Sequence, residues 1–169
     1  MAFRYLTVLL VLSSSAVLIN AYSKGAPKEA CGDMVPQHHV DPQSTPAPYE
    51  LNLSKNHIKA GETIQITLKG KEAKDKIKGL LVQARVGQTP IGKFSVPANN
   101  PHVQAINCGN GAYDALTHTK IQGDGPQSVS FSWTAPKELA ETVTFYYTVA
   151  LNGGVFWVAQ TSEKLSVSA

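Results

Sequence analysis

The stretch Thr142-Val143-Thr144-Phe145-Tyr146-Tyr147-Thr148-Val149-Ala150-Leu151, Asn152-Gly153-Gly154, Val155-Phe156-Trp157-Val158-Ala159-Gln160 reads as two strands joined by a tight turn. Both arms are rich in aromatic and β-branched residues, which pack well on a pleated surface, and Asn-Gly-Gly supplies turn chemistry between them. Successive side chains of a strand point to opposite faces, so Val143, Phe145, Tyr147 and Val149 share one face of the first arm. In the second arm the same rule sends one of Phe156 and Trp157 inward and the other outward.

The two-residue period recurs on either side of this hairpin. Thr63 to Leu68 alternates strictly before Lys69-Gly70, and Ser128 to Trp133 places Val129, Phe131 and Trp133 on one face. Tyr49 to Ser54 alternates with Leu51 and Leu53 together. Leu80 to Val86 is a nearly continuous apolar run in which Gln83 and Arg85 share a face. Ile91 to Val96 follows the turn Gly87-Gln88-Thr89-Pro90, and Lys164 to Val167 forms a short closing strand. Seven or so short strands with Gly, Pro and Asn between them predict an all-β, antiparallel β-sandwich in one domain. The best helical candidate, Pro136 to Glu141, has proline at a first-turn position and is worth one turn at most.

Residues 1–21 read as a secretory signal. Arg4 precedes an apolar stretch, Leu6 to Leu12 and on to Ile19, that ends at Asn20-Ala21. Three consecutive serines interrupt it, so it falls short of the ~20 predominantly apolar residues that span a bilayer. Cleavage after Ala21 leaves a mature chain of about 148 residues, the length of one domain with a full hydrophobic core. No second long apolar segment follows, and the expected location is extracellular. The segment Tyr22 to Pro48 carries prolines 27, 36, 42, 46 and 48 and no sustained period, and is expected to run extended over the surface. In an oxidising compartment Cys31 and Cys108, 77 positions apart, are expected to pair. The sequon Asn52-Leu53-Ser54 puts Asn52 on the face opposite Leu51 and Leu53, where an N-glycan fits.

Of the chain's 15 cations, the signal removes Arg4 alone, leaving 14 against 12 acids and a net charge of +2. That balance does not describe a nucleic-acid binder, which usually shows a strongly basic domain. Gly87-Gln88-Thr89-Pro90-Ile91-Gly92-Lys93-Phe94 approaches a phosphate-binding loop, but Phe94 stands where a magnesium-ligating Ser or Thr is needed and a strand pattern continues. Histidines 38, 39, 57, 102 and 118 lack the spacing of a metal site. No strained Gly-x-Ser-x-Gly turn is present and no residue stands out as a catalytic base, so a binder is expected and an enzyme is not. The prominent charge feature is Lys69-Gly70-Lys71-Glu72-Ala73-Lys74-Asp75-Lys76-Ile77-Lys78. It predicts a mobile, locally positive loop in which Lys69, Lys71, Lys74, Lys76 and Lys78 contact an anionic polymer, or else simply keep strand edges soluble. Tyr113, Tyr146 and Trp157 are the aromatic alternatives, with Trp157 a contact residue if it is the outward member of its pair.

Several blocks, in order, resemble a known family. Tyr22-Ser23-Lys24-Gly25-Ala26-Pro27, Ala30-Cys31 and Met34-Val35-Pro36-Gln37-His38 resemble the opening of a reeler (reelin N-terminal) domain. Gly79 to Arg85, Ile91 to Phe94, Cys108, Thr117-His118-Thr119, Phe131 to Pro136, Val143-Thr144-Phe145 and Phe156-Trp157-Val158 resemble its later blocks, so the resemblance spans residues 22–169. The short stand-alone form is similar to the insect defence proteins. The resemblance implies an immunoglobulin-like sandwich with Cys31 bridged to Cys108. It also implies a haemolymph protein of innate immunity, antimicrobial or binding lipopolysaccharide, lipoteichoic acid or β-glucan on microbial surfaces and possessing blood cells as partners in nodulation. The other function class is an extracellular-matrix or adhesion module that binds heparin-like glycans.

Overall fold

The structure is a computed structural model that describes residues 22–109 and 111–169; the secretory segment read at 1–21 lies outside them. Its strands are β1 (Tyr49–Leu53), β2 (His57–Lys59), β3 (Thr63–Gly70), β4 (Gly79–Val86), β5 (Thr89–Pro90), β6 (Lys93–Ser95), β7 (Val103–Ile106), β8 (Ala115–His118), β9 (Ser128–Thr134), β10 (Thr142–Asn152) and β11 (Val155–Ser168). A four-stranded sheet runs β1-β3-β9-β6, and a larger sheet runs β2-β11-β10-β4-β8-β7 with β5 on β4. The sheets bury their alternating residues against each other: Ile64, Ile66, Leu68, Phe131 and Trp133 from one, Val82, Val143, Phe145 and Val149 from the other. The expected sandwich is therefore present, and so is the hairpin that begins at Thr142.

Three local expectations change. The short closing strand is no separate element, because β11 continues from Val155 to Ser168 and absorbs register shifts against β10 as it goes. Its far end pairs with β2 in parallel, the one parallel partnership among the described strands. Pro136 to Glu141 makes a turn and no helix, while a single helical turn, α1 (Ala30–Asp33), forms within the proline-rich segment and ends on Met34 in the left-handed region.

That proline-rich segment crosses the outer face of the larger sheet. Ala30 and Met34 bury there with Leu81 and Ala115, a second small apolar cluster on the side of the sheet away from the main core. Polar groups fasten it: the Ala26 N–H donates to Thr117 Oγ1 (2.8 Å), Thr148 Oγ1 donates to the Met34 carbonyl (2.7 Å), and Cys31 is bonded to Cys108. Arg85, 5% exposed, donates to the carbonyls of Cys31 (3.2 Å) and Gly32 (3.1 Å) and to the side chain of Gln83. Its guanidinium also lies over the Tyr146 ring, 5.2 Å from the centroid. The continuous burial of β4 follows: Leu80, Val82 and Ala84 face the main core, while Leu81, Gln83 and Arg85 face this cover.

Candidate functional site

The lysine-rich stretch is tied to the sandwich at several points. Ile77 is fully buried and Asp75 nearly so, and the Asp75 carboxylate accepts the Glu72 N–H at 2.7 Å. The Tyr49 hydroxyl donates to the Lys76 carbonyl at 2.7 Å, and burial together with the Asp75 charge pushes that phenol's pKa up to about 12. Backbone bonds from Ile77 to Pro126 and from Lys78 to Ala150, each 2.9 Å, pin its end. The expectation of a mobile loop is thus corrected: an apolar anchor and a buried carboxylate sit between the lysines and hold the backbone.

This anchoring sorts the five lysines. Lys69 belongs to β3, in register with Glu50 on β1, and Lys71 is exposed beyond it. Lys74, Lys76 and Lys78 converge with Gly123, Asp124, Leu151 and Asn152 around a shallow recess of about 430 Å³. Lys74 is ion-paired to Glu72 at 2.9 Å, which raises its pKa, and Lys78 donates to the Gly123 carbonyl. Glu72 and Asp124 offset two of the three cations and the Asp75 carboxylate also acts on Lys74, so the recess is a patch of individually presented ammonium groups with little net charge.

Beside it, between the cover and the larger sheet, lies a mainly apolar cavity of about 280 Å³. Ala26, Pro36, Leu80 and Ala150 line it along with His38 and His118, and Lys78 and Asn152 belong to both hollows. With its Nε2 protonated, His118 donates to the Tyr22 carbonyl (2.8 Å) while Nδ1 accepts the Leu80 N–H (3.2 Å). His38 packs edge-on against Phe156, and its Nδ1 is buried without a hydrogen-bond partner among the described residues. Burial lowers the His38 pKa; the neighbouring Gly153 backbone opposes this, and repulsion from His118 and His39 reinforces it.

Trp157 requires a correction, since both members of the Phe156–Trp157 pair are buried. Trp157 is 7% exposed, packs edge-on against Tyr49 and donates its indole N–H to the Thr45 carbonyl at 3.0 Å. Phe156 does point to the other face, but His38 and residues near Gln43 cover it. Tyr146 is half-buried beneath Arg85, leaving Tyr113, 55% exposed, as the outward aromatic of the three. No aromatic platform is assembled from them. Asn52 stands exposed on edge strand β1.

The stretch resembling a phosphate loop joins β5 to β6 with no helix after it. Gly92, at φ +71°, lies flat against the Trp133 indole, whose N–H donates to the Ile91 carbonyl at 3.0 Å. Sequence reasoning passed over Asp114, 1% exposed, whose carboxylate accepts the N–H groups of Cys108 (2.6 Å), Gly109 (2.8 Å) and Gly111 (3.3 Å). Two glycines and an acid within six residues were the available sign. Among the described residues no three His, Cys, Asp or Glu side chains converge as metal ligands.

Known proteins are similar to this chain. The chain is 43% identical over 157 residues to "Putative defense protein Hdd11" of Hyphantria cunea, covering 92% of this chain and 94% of that one. It is 35% identical over 162 residues to "Defense protein l(2)34Fc" of Drosophila melanogaster, covering 94% and 98%. The crystal structure of the Reelin-N domain of F-spondin superposes with a TM-score of 0.61 at 14% identity, over 77% of this chain and 93% of that one, a likeness of fold. The family model of the reeler domain matches residues 29–169, and the chain belongs to the reeler family.

Proposed function

We propose that the chain is a secreted defence protein that binds anionic polymers of microbial surfaces without catalysing a reaction. The single observation that carries this reading is the convergence of Lys74, Lys76 and Lys78 on one recess. Relatives named as defense proteins over nearly their whole length support the biological setting. In this reading residues 1–21 are removed as a signal peptide, the product circulates in haemolymph, and Asn52 carries an N-glycan.

Exposed, partly offset lysines make weak contacts, each worth less than about 1 kcal/mol on the scale of surface ion pairs. Tight holding of a long polymer then requires several copies of the chain to engage it together. Binding to immobilised lipopolysaccharide, lipoteichoic acid, β-glucan and heparin at 0.1 M and 1 M salt tests the reading. The two phosphate-bearing ligands should be held best, and the triple variant Lys74→Gln/Lys76→Gln/Lys78→Gln should lose most of the binding. Lys69→Gln/Lys71→Gln should keep it. Preferential retention of heparin favours the adhesion reading, and binding indifferent to salt and to the triple variant removes the recess as a site.

A further inference from the structure

The apolar cavity beside the recess is unused by a purely ionic contact. Its volume of about 280 Å³ is mostly walled by carbon. It is also large for a packing defect: a dry cavity of ~150 Å³ holds benzene, so by proportion this one accommodates a hydrocarbon of roughly ten carbons.

Two details give it a direction. Lys78 lines both hollows, the arrangement in which a lysine lays its apolar stem along one wall and carries its ammonium out to the wetter side. His38, packed edge-on against Phe156, adds ring carbon to the same wall, while its buried Nδ1 is closed off from the space a ligand could fill. The wall therefore offers carbon for a chain and a cation at the mouth. We propose that the cavity holds one alkyl or acyl arm of an anionic amphiphile whose head group rests on Lys78 and the adjoining recess. The head-group half rests on the lysine reading given above; the tail half rests on the cavity.

A chain-length series separates the two halves. Inorganic phosphate and n-alkyl phosphates of four to fourteen carbons, each below its micelle concentration, are titrated calorimetrically into the mature protein. Affinity should climb by up to about fourfold per methylene, the worth of a fully buried CH₂, and level off near roughly ten carbons. Ile121→Trp and Ala26→Leu, two independent ways of filling the cavity, should move the plateau to shorter chains with the circular dichroism spectrum unchanged. Lys78→Gln should weaken decyl phosphate and leave decanol unaffected. A flat series overturns the tail site, and if salt-dependent lipopolysaccharide binding persists it leaves the proposed function standing. A climb without a plateau, insensitive to both filling variants, is surface adsorption and also overturns it. Equal affinity for decanol and decyl phosphate overturns the anionic head group, and with it the lysine recess.

Discussion

The outer faces of the two sheets are built on opposite principles. On the four-stranded sheet no segment covers the cross-strand polar pairs, which run from exposed to half-buried with Ser132 alone buried: Thr63 with Thr134 (2.8 Å), Gln65 with Ser132 (2.8 Å) and Thr67 with Ser130 (2.9 Å). On the larger sheet the equivalent face holds Leu81, Gln83, Arg85 and Thr148, all buried under the segment that carries Ala30 and Met34. The open face needs nothing beyond its own strands. The covered face depends on a segment with no strand of its own, and it leaves a seam where cover and sheet do not quite meet, which is where the cavity lies.

Breaking the cover should therefore cost far more than breaking the open face. Cys31→Ser/Cys108→Ser frees a link that closes 77 residues, and the chain-entropy relation puts its worth at about 4.5 kcal/mol as an upper figure. Urea denaturation should show a lower midpoint, and limited proteolysis should cut first between residues 22 and 48. A variant as stable and as protease-resistant as the parent would mean the other fastenings suffice alone.

Ile77→Ala addresses the lysine stretch. If Ile77 is the anchor its burial implies, the loss should be about 3 kcal/mol, within the usual range for a fully buried aliphatic side chain. A solvated loop would barely respond, staying within about 0.5 kcal/mol.

How much of this could be read in the sequence follows from the same contrast. β3 and β9 alternate visibly because one of their faces is wetter than the other, and the face shared by Val129, Phe131 and Trp133, like the apolar positions Ile64, Ile66 and Leu68, is the one the structure turns to the core. β4 was legible as a strand, but its continuous burial does not say what covers the second face. Phe156 and Trp157 mislead for that reason: alternation holds, yet both faces are dry, because Thr45 and His38 arrive from more than a hundred positions away. β7 and β8, four residues each, carry too little pattern to register. Within the lysine stretch the lone Ile77 was the clue to an anchored backbone, outweighed by the charges around it. The cavity, gathered from positions as distant as Tyr22 and Gly153, has no spacing to be found.

Arg85 sharpens the comparison with an intermediate effect. Arg85→Met keeps the side chain's bulk but leaves the Gly32 carbonyl and the Gln83 amide oxygen without their donor, and the Cys31 carbonyl with the Gln83 amide N–H alone. Hydrogen bonds to a charged group are each worth up to about 3 kcal/mol, and apolar packing returns part of that, so a net loss of about 2 kcal/mol is expected by chemical denaturation. Arg85→Lys should not restore it, since an ammonium cannot span the same fork of acceptors. On the open face Thr67→Ala should cost under about 0.5 kcal/mol. If the two faces respond alike, the cover contributes nothing special.

The smallest effect belongs to His38, at the seam itself. Its folded pKa lies below the ordinary value of 6.5, mainly because burial disfavours the imidazolium. Well above pH 6.5 the ring is uncharged in both folded and unfolded chains and contributes no pH dependence. As pH falls through 6.5 the unfolded chain takes up a proton that the folded chain still refuses, so stability declines until the lower folded value is reached and then stops declining. The ring is only partly buried, so the slope should be shallow: a slight drop in melting temperature between pH 7 and 5, flattened in His38→Gln. An occupied cavity adds a sharper sign. A hydrocarbon arm laid against the ring removes more water from it, which disfavours the imidazolium further. The His38 ring-proton titration followed by NMR should therefore shift to still lower pH when decyl phosphate is added, by more than any opposing pull from the phosphate at the mouth. Inorganic phosphate alone lacks the tail and should move the midpoint upward if it moves it at all. A downward shift with the alkyl phosphate and none with phosphate places the chain beside His38; the same upward shift with both would put the ligand outside the cover, on the lysines alone.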